Sequence, residues 1–312
     1  MGVQTFDGRD GREAVRKFLP IDGEKPAFTV LAYMSAHKIP FGAWIATFVA
    51  YLTANGQFVF DAISATLRGA INGLTVGRLW VPPLALVGIF AAFAYWLHRS
   101  WGLVAFVVGS FFLIMNLGYW DETISTLSLV FASTLVCILI GVPIGVLAAY
   151  RPWIYVAIRP ILDLMQTIPT FVYLIPTLVL FGLGVVPGLI STVVFALPAP
   201  IRLTYLGISS VPTQLREAGI SYGATPWQLL VTVELPYALP TVMAGITQCI
   251  MLSLSMVVIA ALVGADGLGK PVVRALNTVN VAMGFEAGIS IVVIAIMLDR
   301  LCKRPQPAKK GD

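Results

Sequence analysis

The stretch REAGISYGATPWQLLVTVELP, Arg216 to Pro236, decides how this chain folds, because it is the one long segment of the second half that does not belong in lipid. It holds Arg216, Glu217 and Glu234, and long uncharged runs flank it on both sides. Its residues spell two short helices and a tight turn. Pro212 suits the first turn of a helix, where a missing N–H leaves nothing unsatisfied. Gly223 suits the left-handed position just beyond a helix end. Thr225, Pro226 and Gln228 spell a second start: an N-cap, a proline at the first helical position and an amide three residues past the cap. Leu229, Leu230 and Val233 give the second helix an apolar stripe. Pro236 is expected to end it, and Pro240 to open the following apolar run. The product is a helix–turn–helix lying on a membrane surface. On shape alone, a plain structured loop is as good a reading as a docking element. A DNA-reading unit is not, because phosphate binding needs several Lys or Arg on one face and Arg216 stands alone here.

The flanks fix the class. Of 312 residues, 58% are hydrophobic and 11% are charged, where soluble domains carry about 25% charged residues. Mean hydropathy is +0.88. The expected fold is an all-α polytopic membrane protein. Residues 1–40 are a polar tail, and residues 1–27 lack the apolar core of a signal peptide. Residues 41–78 are semi-polar. FGAWIATFVAYLTANG is apolar over only about 14 residues, short of the roughly 20 that span a bilayer. Phe58, Ile63, Leu67, Ile71 and Leu74 then recur at helical spacing. An amphipathic helix at the interface is expected, with a tilted span near 41–60 as its rival. Residues 79–302 form the membrane body, with seven spans at 79–97, 101–120, 123–149, 166–184, 187–207, 237–265 and 284–301. Asp121 and Glu122 make a short turn, and 209–236 is the large polar connection. A basic tail, 303–312, closes the chain.

Basic residues in short loops give the orientation. Arg99, Arg151 with Arg159, Arg216 and the C-terminal cluster fall on one side of the membrane. Loops 121–122 and 185–188 have no Lys or Arg, and only Lys270 and Arg274 break the pattern. The 209–236 connection and the C-terminus are therefore expected in the cytoplasm. Seven spans leave the N-terminus outside; an eighth near 41–60 brings it in. The net charge of +5 sits at segment ends and tails, which suits anionic lipid rather than nucleic acid. Cys137, Cys249 and Cys302 form no CxxC and read as small buried thiols.

Other motifs have bland readings. Gly264-Ala-Asp-Gly-Leu-Gly-Lys270 spells a phosphate loop down to the lysine, but Pro271 stands where a magnesium-holding Ser or Thr is needed. It reads as a glycine turn. Gly141-x-x-x-Gly145 and Gly284-x-x-x-Gly288 are small-residue pairs for close helix packing. Asp163 and Gln166 sit at the inner mouth of the fourth span, Gln248 and Ser253 within the sixth and Glu286 at the outer edge of the seventh. Intramembrane polar groups often mark a pathway. Asp163 also has Arg159 four residues away, so an ion pair on one helix face is an equal reading. No spaced His, Cys or carboxylate set suggests a metal or catalytic centre.

Glu217-Ala218-Gly219, then Gly223, then Val233-x-Leu235-Pro236, resembles the EAA signature of permease subunits of bacterial ATP-binding-cassette importers. Gly219 stands where a third alanine is usual, a small-for-small change. The resemblance implies a type I importer permease bundle whose 216–236 loop is the coupling helix docked on a cytoplasmic ATPase. It assigns coupling to Glu217, Ala218, Gly219, Gly223, Val233, Leu235 and Pro236. It further implies two permease copies, a periplasmic substrate-binding protein and placement in the bacterial inner membrane. ATP and magnesium would belong to the ATPase, leaving this chain neither an enzyme nor a cofactor carrier. The runs Arg159–Pro176, Val186–Ile208 and Leu254–Gly269 look like permeases of glycine betaine/proline betaine and choline importers, and HKIPFGAW, His37 to Trp44, is more similar to choline-type members. The implied substrate is a quaternary ammonium compound, held in an aromatic cage that belongs to the binding protein. Asp163, Gln166, Tyr173 and Gln248 are the pathway candidates. The rival reading is an ion-coupled carrier or channel built around Gln248 and Asp163.

Overall fold

The structure is a computed structural model that describes residues 40–80 and 82–303. Expectations for the tails, for His37–Ile39 of HKIPFGAW and for the side chain of Leu74 fall outside the description. By compactness the chain divides into residues 1–51 and 52–312. Of the first unit only Pro40 and the opening turns of one helix are described.

Among the described residues there are thirteen α-helices and no strand. They are α1 Phe41–Trp80, α2 Pro83–His98, α3 Trp101–Asn116, α4 Trp120–Tyr150, α5 Pro152–Thr167, α6 Thr170–Phe181 and α7 Val185–Ala196. Then come α8 Pro198–Ser209, α9 Thr213–Ser221, α10 Pro226–Leu229, α11 Leu235–Ala261, α12 Gly269–Thr278 and α13 Val281–Cys302. A π-helical turn, Leu230–Glu234, joins α10 to α11. The all-α membrane fold expected from composition is present.

The span boundaries differ from expectation in several places. Among the described residues four helical runs are long and apolar enough to cross a bilayer: Trp120–Tyr150, Val185–Ser209, Pro226–Ala261 and Val281–Cys302. A fifth candidate is the pair α5 and α6, bent by 99°. The expected straight span at 166–184 is therefore two helices. Pro169 cannot donate to a continuing ladder and forces Ile168 into an extended conformation. The expected spans at 79–97 and 101–120 are α2 and α3, of 16 residues each, short of the roughly 20 that cross unaided. Ring contacts between Tyr95 and Trp101 at 4.9 Å and between Phe90 and Phe111 at 5.2 Å make them an antiparallel hairpin. The turn expected at Asp121–Glu122 lies three residues earlier, at Gly118 with φ 79°. The two acids instead occupy the first turn of α4, where the helix dipole favours negative charge. α1 is one continuous helix through Asn55 and Gly56. Of its expected apolar face, Phe58 and Ile63 are exposed while Leu67 and Ile71 pack into the body. α12 was not foreseen.

The core lies where α4, α7, α8 and α11 meet. Leu129, Cys137, Val193, Ala196, Cys249, Leu254 and Val257 are buried together there. A smaller cluster, Val87, Ala94, Val107, Phe111 and Met297, ties α2 and α3 to α13. Cys137 and Cys249 are buried free thiols and Cys302 is half-buried. The glycine pair at Gly141 and Gly145 lets α4 meet α8 backbone to backbone. A Cβ on Gly141 would stand 2.9 Å from Pro200, and one on Gly145 would stand 2.8 Å from the Ile201 carbonyl. The second pair differs: a Cβ on Gly288 would meet nothing within 4 Å. The glycine turn at residues 264–270 packs on the start of α4, with the Leu268 N–H donating to Thr126 Oγ1 at 2.9 Å.

Gly145→Ala is expected to lower the thermal stability of the detergent-solubilised protein by about 1–3 kcal/mol, through overpacking against backbone. Gly288→Ala should leave it unchanged or slightly raised. Equal melting curves for the two variants would contradict the packing described.

Candidate functional site

The 209–236 connection folds as its residues dictate. Pro212 caps the start of α9. At its far end the Gly223 N–H donates to the Ile220 carbonyl at 2.9 Å and the Ala224 N–H to the Gly219 carbonyl at 3.1 Å. Gly223 holds φ 79°, so this is a Schellman ending that needs a residue without a Cβ. Thr225 opens α10 one residue later. The Gln228 N–H donates to Thr225 Oγ1 at 3.3 Å, and the Thr225 N–H donates to Gln228 Oε1 at 2.9 Å. Both expected signals, the left-handed glycine and the capping box, are present.

The expected end of the second helix at Pro236 is not. Pro236 lacks the N–H that would reach the Thr232 carbonyl, and its ring would press on that carbonyl in a regular α-helix. The chain widens by one residue instead, and the Leu235 N–H donates to the Leu230 carbonyl. This π turn absorbs the proline. Helical structure then continues past Pro240 to Ala261, deep in the apolar body.

The two short helices touch through small and aliphatic residues. A Cβ on Gly219 would stand 2.6 Å from Leu229 Cδ1 and 3.6 Å from Val233 Cγ2. Leu229 is buried, and Val233 and Leu235 are half-buried. Glu217, Ala218, Gly223 and Pro236 are exposed. The tip also shows apolar side chains to the outside: Tyr222 is 93% exposed, Trp227 72% and Ile220 60%.

Beneath this tip lies an arrangement that sequence reasoning missed. Glu234 is 1% exposed. Arg216 Nε stands 2.8 Å from its Oε1, and the Tyr150 hydroxyl donates to its Oε2. Arg216 Nη2 also donates to the Ile208 carbonyl at 2.7 Å. One buried carboxylate thus fastens α9 to the end of α4 and to the last turn of α8. The available signal was Glu234 itself, an acid in an apolar helical run with no base within one turn. Its partner had to come from another element.

Three of the pathway candidates, Asp163, Gln166 and Tyr173, lie about the α5–α6 bend, and Gln248 lies on α11. Asp163 receives Arg202 Nη2 of α8 at 2.6 Å, and Arg159 Nε lies farther off at 4.0 Å. The sequence-expected pair within α5 is therefore secondary to a bond between helices. Tyr155 and Tyr205, which precede Asp163 and follow Arg202 on the same two elements, stack with ring centroids 3.7 Å apart. The Tyr173 hydroxyl donates to the Met165 carbonyl at 2.7 Å, holding α6 across the bend from α5. Gln166 is half-buried. Gln248 is exposed midway along α11. Its helix exposes only Pro240, Ala244, Gln248 and Ser255 between Tyr237 and Leu262. By contrast α4 exposes Phe131, Leu135, Leu139 and Leu147.

Arg216→Ala should strand the buried Glu234 anion, costing about 3–5 kcal/mol. Arg216→Ala combined with Glu234→Gln should recover part of that loss. Thermal unfolding of the four proteins in detergent, read as a double-mutant cycle, tests this; strictly additive losses would show that the pair does not interact.

Residues 141–305 match the family model described as binding-protein-dependent transport system inner membrane component. The chain is 45% identical over 88% of its length to the glycine betaine transport system permease protein OpuAB of Bacillus subtilis (strain 168), covering 97% of that protein. It is 44% identical over 84% of its length to the glycine betaine/carnitine transport permease protein GbuB of Listeria monocytogenes, covering 94% of it. Its identity to the glycine betaine/proline betaine permease protein ProW of Escherichia coli (strain K12) is 40%, over 88% of this chain and 77% of that one. Among solved structures, a chain of the MetNI methionine ABC transporter in inward-facing conformations superposes with a TM-score of 0.52 at 26% identity, over 58% of this chain and 94% of the other.

Proposed function

This chain belongs to the family of inner membrane components of binding-protein-dependent transport systems, and we propose that it carries glycine betaine or a close quaternary ammonium relative into the cytoplasm. The family works with an ATPase and a substrate-binding partner. The energy comes from ATP hydrolysed on the separate ATPase, seated on the α9–α10 tip. The observation that carries this reading is the tip itself. Exposed Ile220, Tyr222 and Trp227 are the sort of apolar and aromatic anchors that fill a partner's pocket. They stand on a base pinned by Glu234, so force applied at the tip is delivered to α4, α8 and α11. The EAA residues divide accordingly: Glu217 and Ala218 face the partner, Gly223 shapes the turn, Gly219 and Val233 hold the helices together, and Leu235 faces the cavity beside the end of α4. Pro236 sets the π turn.

The tip, with the basic C-terminus, faces the cytoplasm. Two copies of the chain assemble with their α11 faces toward a common route. Exposed Ala244, Gln248 and Ser255 suit a wet conduit, since a mid-span amide turned to hydrocarbon is costly. Glycine betaine is favoured by the names of the relatives; choline rests on the likeness of His37–Trp44 alone. No observation favours an ion-coupled carrier.

Glu217→Lys and Gly223→Asp should each abolish most uptake of labelled glycine betaine in proteoliposomes holding permease, ATPase and binding protein, while the protein still inserts. The glycine change strains a left-handed position by roughly 1 kcal/mol or more, and both alter the docking face. Unchanged ATPase co-purification and unchanged uptake in both variants would refute the docking role. Uptake that ignored ATP and followed an ion gradient would refute the importer. Gln248→Leu should cut uptake severalfold without loss of assembly.

A further inference from the structure

At the ends of α4 and α11 remote from Glu234 lies a cavity of about 560 Å³, within the range of small-molecule sites. Glu122 of α4 and Tyr119, the N-cap before it, line one side, and α12 lines the other with Lys270, Arg274 and Asn277. α4 runs 31 residues from this cavity to Tyr150 at the Glu234 clamp, about 46 Å at 1.5 Å per residue. The two sites therefore lie at opposite membrane faces.

The charges in the cavity are divided by wall. On the α4 side Glu122 stands with Tyr119, whose hydroxyl donates to Glu286 Oε2 of α13 at 3.4 Å. Burial, then Glu286 and Glu122, hold the Tyr119 phenol above its usual range; the two carboxylates themselves make this wall electronegative. On the α12 side are Lys270, tied to exposed Asp266, and Arg274. Among the described residues neither Glu122 nor Arg274 has an ion-pair partner. α12 is held over the cavity by the glycine turn that seats Leu268 on Thr126.

We propose that this outer cavity is a receiving site for a small zwitterion carrying a quaternary ammonium and a carboxylate, its cation against Tyr119 and Glu122 and its carboxylate against Arg274 and Lys270. The proposal rests on the transport reading above and deepens it. An aromatic ring beside a carboxylate suits a methylated ammonium, which cannot donate a hydrogen bond and is attracted by ring face and charge. A guanidinium suits the carboxylate. The opposed walls discriminate against ligands with one charge only. The site would take substrate released by the binding protein before the route opens inward.

The test is equilibrium binding of labelled glycine betaine to the purified permease–ATPase complex without binding protein. Wild type should bind saturably. Arg274→Gln and Glu122→Gln should each weaken binding about tenfold or more, with Arg274→Lys restoring part of the loss. Choline, lacking the carboxylate, should respond to Glu122→Gln and be indifferent to Arg274→Gln. Co-purification of the ATPase with every variant checks the fold. Absence of saturable binding to wild type overturns the site, as does indifference of both variants. Variants that keep ligand binding and lose capture of the binding protein also overturn it, making the cavity a protein dock. Uptake by the complete wild-type system separates the two levels: if glycine betaine is taken up and binding is absent, only the site falls. If no glycine betaine is taken up, the transport reading itself falls.

Discussion

A single buried carboxylate organises the end of this protein that carries the α9–α10 tip. Glu234 lies in helical structure at the point where the chain returns to the apolar body, and it is all but sealed from water. An unpaired anion there would be prohibitively costly, so the fold must bring it Arg216 and the Tyr150 hydroxyl. Three separate elements are positioned by that demand. Such a pair gives little net stability over an apolar replacement, because both charges had to be desolvated. What it fixes is place: α9 has one position in which Arg216 reaches both Glu234 and the Ile208 carbonyl.

The prolines tell a related story. Pro236 and Pro240 sit in the first turns of α11 without ending the helical run. A π turn ahead of Pro236 admits the ring, and the outcome is continuous helical structure from Pro226 to Ala261, 36 residues in all. The surface tip and the membrane core are thus one element. Pro169 acts in the opposite way, where nothing widens the ladder and the chain bends by 99°. The same residue type joins two compartments at one site and divides a run at another, according to whether the preceding turn accommodates it.

Much of this was legible in the chain. Composition gave the membrane class, and Gly223 with Thr225, Pro226 and Gln228 gave the tip almost atom for atom, because these signals act within four residues. The packing role of Gly141 and Gly145 followed from their spacing, though the same spacing at Gly284 and Gly288 meant nothing comparable. What was not legible depended on distance along the chain. Asp163 has a basic residue at helical spacing, yet Arg202, 39 residues on, is nearer. The Glu234 clamp joins residues 84 apart in the case of Tyr150. Span ends were misplaced where a proline had two outcomes, and α12 hid behind a glycine turn that reads as a loop. The likeness of Arg159–Pro176, Val186–Ile208 and Leu254–Gly269 to permeases of quaternary ammonium importers agrees with the names of the relatives.

The Schellman ending of α9 and the capping box of α10 lie back to back, with Ala224 alone between Gly223 and Thr225. Their backbone donors and acceptors are satisfied within the tip, and each helix end is closed by its own residues. The tip is accordingly preorganised: it keeps its form whether or not anything holds it. A protein that gripped it would lose little to the ordering of loose chain, so more of the contact energy would remain as affinity.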